Sequence, residues 1–366
     1  HRPIRNGLVD EATYLTKNNL AGDGWLYKVT AVKASSPNVV GDLVWPGLES
    51  DLNYVNIRFS ENNMQILDGR RLQFDDPAGP DDNLATTTDR VMVEFTGENV
   101  DVKLRETLDG ERTNFLEENT EEPWMTRQKF KIDFEDTSID PIANFAWYYG
   151  DFLKDCAAMT SVNLVPGSFE WDAQDQYLSW VVEANYILTV DGRCYDLVSL
   201  AHDVGTATVQ YRFSFYRPPH SDYVPEVIGE KDLVNKKYGA FQTLNLFRDH
   251  DTGILSAQSL LNRWDPNREE PVIFYFHEGF PPRFKPMFNE IKQETNQILA
   301  LAGAKLRVDF REYNVEGIER NLGDIRYSFV IWHHDIDTTK GLLGYGPSSA
   351  DPRTGELISA NLNLYN

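Results

Sequence analysis

Histidine and carboxylate side chains near residue 333 are the first candidates for chemistry in this chain. The pair His333-His334 is followed by Asp335 and Asp337, and these groups could ligate a structural zinc or calcium ion. Adjacent residues on a strand point to opposite faces, so only one of the two histidines can join Asp335 or Asp337. The sequence therefore suggests His333 and Asp335 as a metal pair, and a polar strand end at the surface is the alternative.

Two cysteines and several acidic pairs are further candidates. Cys156 and Cys194 fit either one disulfide or two buried thiols, and a bridge would close a loop of about 38 residues, worth roughly 4 kcal/mol if unstrained. Two acidic pairs could offer oxygen ligands to calcium, namely Asp75-Asp76 and Asp81-Asp82. They lack the D-x-D-x-D-G spacing that would make the signal specific, so a solvated acidic loop is the favoured interpretation.

The composition limits the partners of the chain. Its 366 residues include 35 Lys and Arg against 57 Asp and Glu, a formal net charge of −22. Such a charge repels nucleic-acid phosphates and anionic membranes, so we expect neither as a partner. Aromatic residues make up 12% of the chain and can build packed cores, which excludes wholesale disorder. No stretch approaches the roughly 18 consecutive apolar residues of a spanning helix, so no transmembrane segment is expected.

Residues 1–217 show the pattern of a β-rich region, a sandwich or a barrel. Apolar and polar residues alternate with period two at 54–59, and further strand-like runs recur as far as 206–215. Turn signals such as Asp-Gly pairs separate the runs. Prolines near residue 218 end this pattern. We therefore predict a β-rich region over 1–217, made of one or two β subdomains, and a connector over 218–270.

After Pro271 the pattern changes. The continuous apolar run at 272–276 predicts a strand buried on both faces. Apolar side chains at helical spacing predict one long amphipathic helix over about 284–302. Three more strands follow, and the last, at 357–364, alternates apolar and polar residues. The run Asp351-Pro352-Arg353-Thr354-Gly355 before it predicts a turn rather than a cation contact, because Asp351 can cap it, Pro352 fixes φ and Gly355 permits a positive φ. The predicted fold class is therefore α+β, a β-rich region followed by a mixed sheet with one long helix over 271–366.

One segment near the end of the chain resembles a known family. Residues 344–360 read GYGPSSADPRTGELISA, which is similar to the stretch before the active-site helix of large bacterial zinc-dependent metalloproteases of the metzincin type. Residues 24–30 and 59–62 resemble the β-rich region of those proteins. The order strand, helix, strand, strand, strand is also the one that a metzincin N-terminal subdomain would show. The resemblance covers 271–366 and, more loosely, about 20–215.

The resemblance implies a zinc endopeptidase. In that family two histidines one helical turn apart, with a third beyond a glycine turn, hold the zinc, and a glutamate deprotonates the zinc-bound water. This chain has no HExxH motif: only His277-Glu278 begins one, and Pro281 stands where the second histidine should be. We interpret His277-Glu278 as a strand end rather than an acid–base pair. We therefore expect no catalytic residue here, and we expect the zinc in a C-terminal part that follows Asn366.

The last strand then becomes the predicted substrate-binding element. In the family the substrate lies extended along an edge strand and adds to the sheet through backbone hydrogen bonds. This implies that Leu357, Ser359 and Asn361 bind the substrate along an edge strand over 357–364. The alternative is an ordinary strand that is paired on both sides.

The predicted function is that of the N-terminal portion of a zinc metalloendopeptidase that is secreted, periplasmic or on the bacterial cell surface. Its expected partners are a polypeptide substrate and its own C-terminal catalytic part. Because the chain opens with His1-Arg2-Pro3 and shows no signal peptide, we expect a processed or truncated chain. The alternative is a non-catalytic secreted β-rich module that binds a protein or a glycan. A third possibility is that the β region acts as a built-in inhibitor or chaperone.

Overall fold

The chain is mostly β. The computed structural model describes residues 14–34, 44–69, 71–75, 86–87, 90–119, 121–136, 139–141, 156–189, 205–229, 239, 241–249, 252, 255–334 and 344–365. The strands up to residue 216 are β1 (Tyr14–Thr16), β2 (Gly22–Ala34), β3 (Asn53–Phe59), β4 (Asn63–Asp68), β5 (Arg71–Asp75), β6 (Thr86–Thr87), β7 (Val91–Val100), β8 (Val102–Glu106), β9 (Arg112–Glu118), β10 (Lys129–Ile132), β11 (Ala157–Leu164), β12 (Glu170–Asp172), β13 (Tyr177–Leu188) and β14 (Thr206–Tyr216). A one-turn helix, α1 (Lys17–Leu20), follows β1.

The rest of the described chain contains eight strands and the long helix. The strands are β15 (Gln242–Asp249), β16 (Leu255–Leu261), β17 (Val272–Phe276), β18 (Val308–Glu312), β19 (Ser328–His333), β20 (Gly344–Tyr345), β21 (Ser348–Ala350) and β22 (Leu357–Tyr365). The helix is α2 (Lys285–Leu301), which a 3-10 turn over Pro282–Phe284 precedes. Among the described residues, no helix is long and apolar enough to cross a membrane.

Ten strands form a curled antiparallel half-barrel sheet. Its order is β1-β10-β7-β4-β3-β2-β14-β13-β11, and β12 also pairs with β13. Register shifts interrupt several of these pairings, for example between Gln210 and Tyr211 in β14. An extra residue at such a bulge increases the local twist of a strand, which helps a sheet to curl. The predicted β-rich region is confirmed at this level.

The alternating residues of the half-barrel separate into two faces. Tyr27 and Val29 of β2 belong to the large apolar core inside the curl, together with the fully buried Trp180 of β13. Leu26 and Lys28, one step out of phase, point to the outer face. Four aromatic rings surround Trp180 with ring centroids 5.0–6.0 Å away: Phe95, Phe134, Phe213 and Phe215.

The second main sheet is mixed. Its order is β18-β17-β19-β22-β20, in which β18, β17, β19 and β22 run parallel while β20 and β21 pair with β22 antiparallel. Helix α2 covers one face, where Phe288 packs against Phe276 and Val330. The predicted long helix and the predicted strand at 272–276 are both found.

The predicted connector over 218–270 is more structured than expected. Strands β15 and β16 form a hairpin there, and β15 pairs in parallel with β5 of the N-terminal region. This small sheet has the order β16-β15-β5-β6. The prolines of the segment therefore mark a break between sheets and do not prevent strand formation farther along.

Candidate functional site

Strand β22 lies inside the mixed sheet, so the prediction of an exposed edge at 357–364 is wrong. Residues Asn361 to Tyr365 pair with β19 on one side. On the other side β22 pairs with β20 and β21. At its start, the Leu357 N–H donates to the Arg263 carbonyl at 2.9 Å. Strand β22 therefore has neighbouring strands on both sides and is not an edge of the mixed sheet.

The prediction that Leu357, Ser359 and Asn361 bind substrate depended on an exposed edge strand, which β22 is not. Ser359 and Asn361 are 2% and 3% exposed, and they face the half-barrel. The Asn361 Oδ1 accepts a hydrogen bond from the Phe329 N–H at 3.0 Å. Leu357 is partly buried, and its backbone is bonded as described above. Alternation in β22 therefore separates a helix-facing apolar side from a buried polar side, with no side left for a cleft.

One edge of the mixed sheet is β18, and the other consists of β20 and β21. No further strand pairs with either of them in the part of the chain that the structure describes. The Asn361 N–H donates to the Pro347 carbonyl at 2.9 Å, and Ser348 is the next residue, opposite Ala360. In an antiparallel ladder the bonded and non-bonded pairs alternate, so the N–H and C=O of Ser348 point away from β22. The exposed backbone lies on the segment that carries the family resemblance.

A tight turn joins β21 to β22, as the sequence predicts. The Asp351 carboxylate accepts hydrogen bonds from the Arg353 N–H at 2.9 Å and from the Arg353 guanidinium at 2.6 Å. Gly355 has a φ of +76°, a conformation that favours glycine. Burial alone would lower the pKa of Arg353, but its hydrogen bond and charge interaction with Asp351 raise it above its ordinary value. The turn is thus a rigid corner beside the open edge.

A buried polar cluster joins the half-barrel to the mixed sheet. We name Lys28, Glu49, Ser349 and Asn361 the inter-sheet cluster; all four are at most 4% exposed. The Lys28 Nζ donates to Glu49 Oε2 at 3.0 Å and to Ser349 Oγ at 3.1 Å. The Asn361 Nδ2 donates to the same Glu49 oxygen at 2.8 Å. The cluster thus connects β2 and the segment before β3 with β21 and β22.

The loop between β18 and β19 makes a second connection. Ile325 is fully buried against Leu26 and Tyr54 of the half-barrel. The Ser214 Oγ donates to the Gly323 carbonyl at 2.6 Å. Next to these contacts the Arg326 guanidinium forms ion pairs with four carboxylates, those of Glu170, Asp172, Asp175 and Asp324. The mixed sheet therefore covers the outer face of β2, β13 and β14.

The predicted metal pair falls partly outside the described residues. His333 is 6% exposed, and its Nε2 lies 2.9 Å from the Asn363 Oδ1. Its ring stacks on Tyr365 with centroids 5.0 Å apart. Asp335 lies outside the described residues, so the pair stays a prediction. Within the described ranges no group of three or more His, Cys, Asp or Glu side chains could hold a metal ion.

Burial makes His333 sensitive to pH. It lowers the pKa of His333 below the ordinary value, and the neighbouring His277 and His334 lower it further, while the hydrogen bond to Asn363 opposes them. The unfolded chain therefore binds a proton that the folded chain releases, so stability falls as the pH drops below about 6.5.

When the pH is lowered from about 7.5 to about 5.5, we expect the melting temperature of His333→Gln to fall less than that of the wild type. The variant lacks the buried imidazole whose protonation favours the unfolded chain. Thermal unfolding followed by circular dichroism measures the difference. His220→Gln is the matched control, since His220 is 92% exposed. Equal losses in the wild type and in His333→Gln would contradict the prediction.

The other predicted sites receive little or no test. Cys156 is fully buried and disulfide-bonded, which fits the predicted bridge, whereas Cys194 lies outside the described residues. Asp76, Asp81 and Asp82 also lie outside them. His277 follows β17 and is partly buried, with its ring centroid 6.2 Å from that of Phe329, which fits the predicted strand end.

Sequence reasoning missed the inter-sheet cluster and Arg326. A signal was present for Lys28, because a lysine inside the apolar run 25–32 has to be paired if both faces of its strand are covered. Nothing in the sequence indicated that Glu49 and Asn361 would be its neighbours.

Comparisons with known proteins give no independent assignment: no family model, no curated protein and no solved structure matches this chain.

Proposed function

We propose that this chain is the N-terminal portion of a secreted or envelope-associated zinc metalloendopeptidase, and that its mixed sheet forms one wall of the substrate cleft. The observation that carries the proposal is the open edge at β20 and β21. The residues that resemble the metzincin segment, 344–360, form this edge, the corner after it and the start of β22. The long elements over 271–366, namely strand β17, helix α2 and strands β18, β19 and β22, follow one another in the predicted order, with the short strands β20 and β21 before β22.

The substrate-binding element in this proposal is β21 instead of β22. An extended peptide can add to a sheet edge through backbone hydrogen bonds, and the outward N–H and C=O of Ser348 offer one such pair. Ser348 is exposed while Ser349 is buried, so one side of the strand faces solvent and the other anchors it on the half-barrel. The buried side chain of Ser349 thus fixes β21 on the half-barrel, while the outward N–H and C=O of Ser348 stay available for a substrate.

The zinc is assigned to no residue described here. Zinc in a catalytic site needs three protein ligands, and within the described ranges no such group forms. The proposal therefore places the metal ligands, and the chemistry that the metal supplies, outside these residues. This chain contributes the scaffold and the edge strand.

The contacts between the two sheets favour a scaffold role for the β region. A removable inhibitor would lie over the cleft edge, whereas the half-barrel covers the face of the mixed sheet opposite α2. Val32 of β2 packs there against Phe329 and Ile331. If the two sheets separated, the buried hydrogen bonds from Lys28 to Ser349 and from Asn361 to Glu49 would be lost.

The test uses the protein in the form in which its source makes it. Intact mass and peptide mapping establish whether an HExxH segment follows residue 366, and zinc content and casein cleavage are then measured. Zinc-dependent cleavage supports the proposal. A natural end at Asn366 without zinc or cleavage overturns it and favours the binding module, for which β8 and β9 offer a two-stranded arm with exposed Leu104, Leu108 and Phe115.

In the cleaving form we expect Ser348→Pro to lower kcat/KM by about tenfold, because it removes an outward N–H and crowds the edge. Ser348→Ala keeps the N–H and is the matched control, with an expected activity close to that of the wild type. An equal melting temperature for the two variants separates the effect from misfolding. Unchanged kcat/KM in Ser348→Pro would show that the substrate does not use this edge.

A further inference from the structure

Three side chains of the inter-sheet cluster have the composition needed for a covalent reaction. Lys28 supplies an amine, Asn361 supplies a carboxamide, and Glu49 supplies a carboxylate that hydrogen-bonds to both. Both nitrogens share one oxygen, Glu49 Oε2, at 3.0 Å and 2.8 Å. The Lys28 amine and the Asn361 amide are therefore both hydrogen-bonded to the Glu49 carboxylate, which can carry a proton between them. All three side chains are at most 4% exposed.

Burial makes the charged arrangement costly. Removing a lysine ammonium and a carboxylate from water costs free energy, which their attraction offsets only when the geometry is good. Transfer of the proton from Nζ to Oε2 gives a neutral amine and a neutral acid. A neutral amine in a dry site is a nucleophile, as in enzymes that use a desolvated lysine.

The carboxamide is also held for attack. The Phe329 N–H donates to the Asn361 Oδ1 at 3.0 Å, which is where negative charge would develop if an amine added to Cγ. Backbone N–H groups fixed in this way stabilise the oxyanion of an acyl-transfer reaction. The cluster thus contains a nucleophile, a proton carrier and an oxyanion donor around one amide.

We propose that Lys28 and Asn361 form an intramolecular isopeptide bond. After the proton moves from Nζ to Oε2, Nζ attacks Cγ, and the carbonyl electron pair shifts to Oδ1. Glu49 then gives its proton to Nδ2, the C–N bond breaks, and ammonia leaves with its electron pair. The surplus proton on Nζ passes to Glu49. One C–N bond forms and one breaks, and no oxidant or other reactant is needed.

The bond would join distant parts of the chain. Lys28 lies in β2 of the half-barrel and Asn361 in β22, the inner strand of the mixed sheet. The two sheets would then stay linked after unfolding. This places a covalent modification at a site that the proposed protease function does not use.

The experiment is intact-mass analysis of the reduced wild-type chain, followed by peptide mapping. We expect a mass lower by one ammonia and a joined pair of peptides that contain Lys28 and Asn361. An unchanged mass overturns the proposal. A loss of ammonia that persists in Lys28→Arg also overturns it, because cyclisation of an asparagine alone would give the same mass.

Variants assign the roles. Glu49→Gln keeps the size of the side chain but cannot carry the proton, so we expect the joined peptides to fall from essentially complete to undetectable. Ser349→Ala removes a hydrogen bond to Nζ and takes no part in the reaction, so it should retain them. Full bond formation in Glu49→Gln would contradict the assigned mechanism.

An independent measurement does not depend on the variants folding. A protease site inserted at the exposed residues 219–222 of the otherwise wild-type protein allows the chain to be cut between the two sheets. After cutting, the two pieces are expected to migrate together on a reducing denaturing gel. Separation into two bands overturns the proposal.

Discussion

Replacement of Arg326 by alanine is expected to lower the free energy of unfolding by about 3–5 kcal/mol. The Arg326 guanidinium is 11% exposed and lies 2.7 Å from the carboxylate of Asp324, which is 4% exposed. It also stacks on the Tyr177 ring at 3.8 Å. Burial alone would lower the pKa of Arg326, but its hydrogen bond and charge interaction with Asp324 raise it above the ordinary value. Loss of the guanidinium leaves a buried carboxylate without its main partner.

Two comparisons make this measurement specific. Arg326→Lys keeps the charge but loses the planar fork and the stacking on Tyr177, so an intermediate loss is expected. Arg112→Ala removes an exposed ion pair with Glu106, in which the side chains are 76% and 60% exposed, so no measurable change is expected. Urea unfolding followed by circular dichroism gives the three values. If Arg326→Ala and Arg112→Ala behaved alike, Arg326 would not hold the two sheets together.

Replacement of Trp180 by alanine is expected to cost about 3–5 kcal/mol of unfolding free energy. Its side chain is fully buried, and the surrounding rings, such as Phe95 at 5.0 Å and Phe215 at 5.2 Å, lose their central contact. These residues come from different strands, so the cavity cannot collapse by movement of one strand alone. The size of the effect is set by the removed contacts and by the cavity that remains.

A phenylalanine at the same position is expected to lose less than half as much. The Trp180 Nε1 finds no hydrogen-bond partner among the residues that the structure describes, so Trp180→Phe removes a buried donor together with some volume. Ile187→Ala on the same strand is the control, since Ile187 is 54% exposed. Urea unfolding compares the three variants. Equal losses for alanine and phenylalanine would show that the ring stack contributes little.

Local patterns were sufficient for the elements near the proposed cleft. Apolar spacing predicted helix α2, because one side of a helix repeats every 3.6 residues whatever it packs against. The continuous apolar run predicted β17 in the same way. The Asp351 to Gly355 turn followed from residues that act on their own backbone. Each of these depends on neighbours in the chain.

The place of β22 in its sheet did not follow from such patterns. The alternation of polar and apolar residues in β22 correctly predicts that Asn361 and Leu362 lie on opposite faces of the sheet. It does not predict what each face contacts. Whether a face meets solvent, a helix or another sheet depends on segments far away in the chain. Glu49 lies opposite Asn361 across a separation of 312 residues, and that contact decided that the polar face is buried.

The sequence by itself therefore determined a β-rich protein, one long helix, a corner before the last strand and a net charge of −22. The tertiary structure decided that β22 is an inner strand, that β20 and β21 carry the open edge, and that Lys28, Glu49 and Asn361 meet between two sheets. The reason is physical. Side-chain spacing acts within a few residues, whereas strand order and the pairing of buried charges are set by packing between elements that the chain brings together only when it folds.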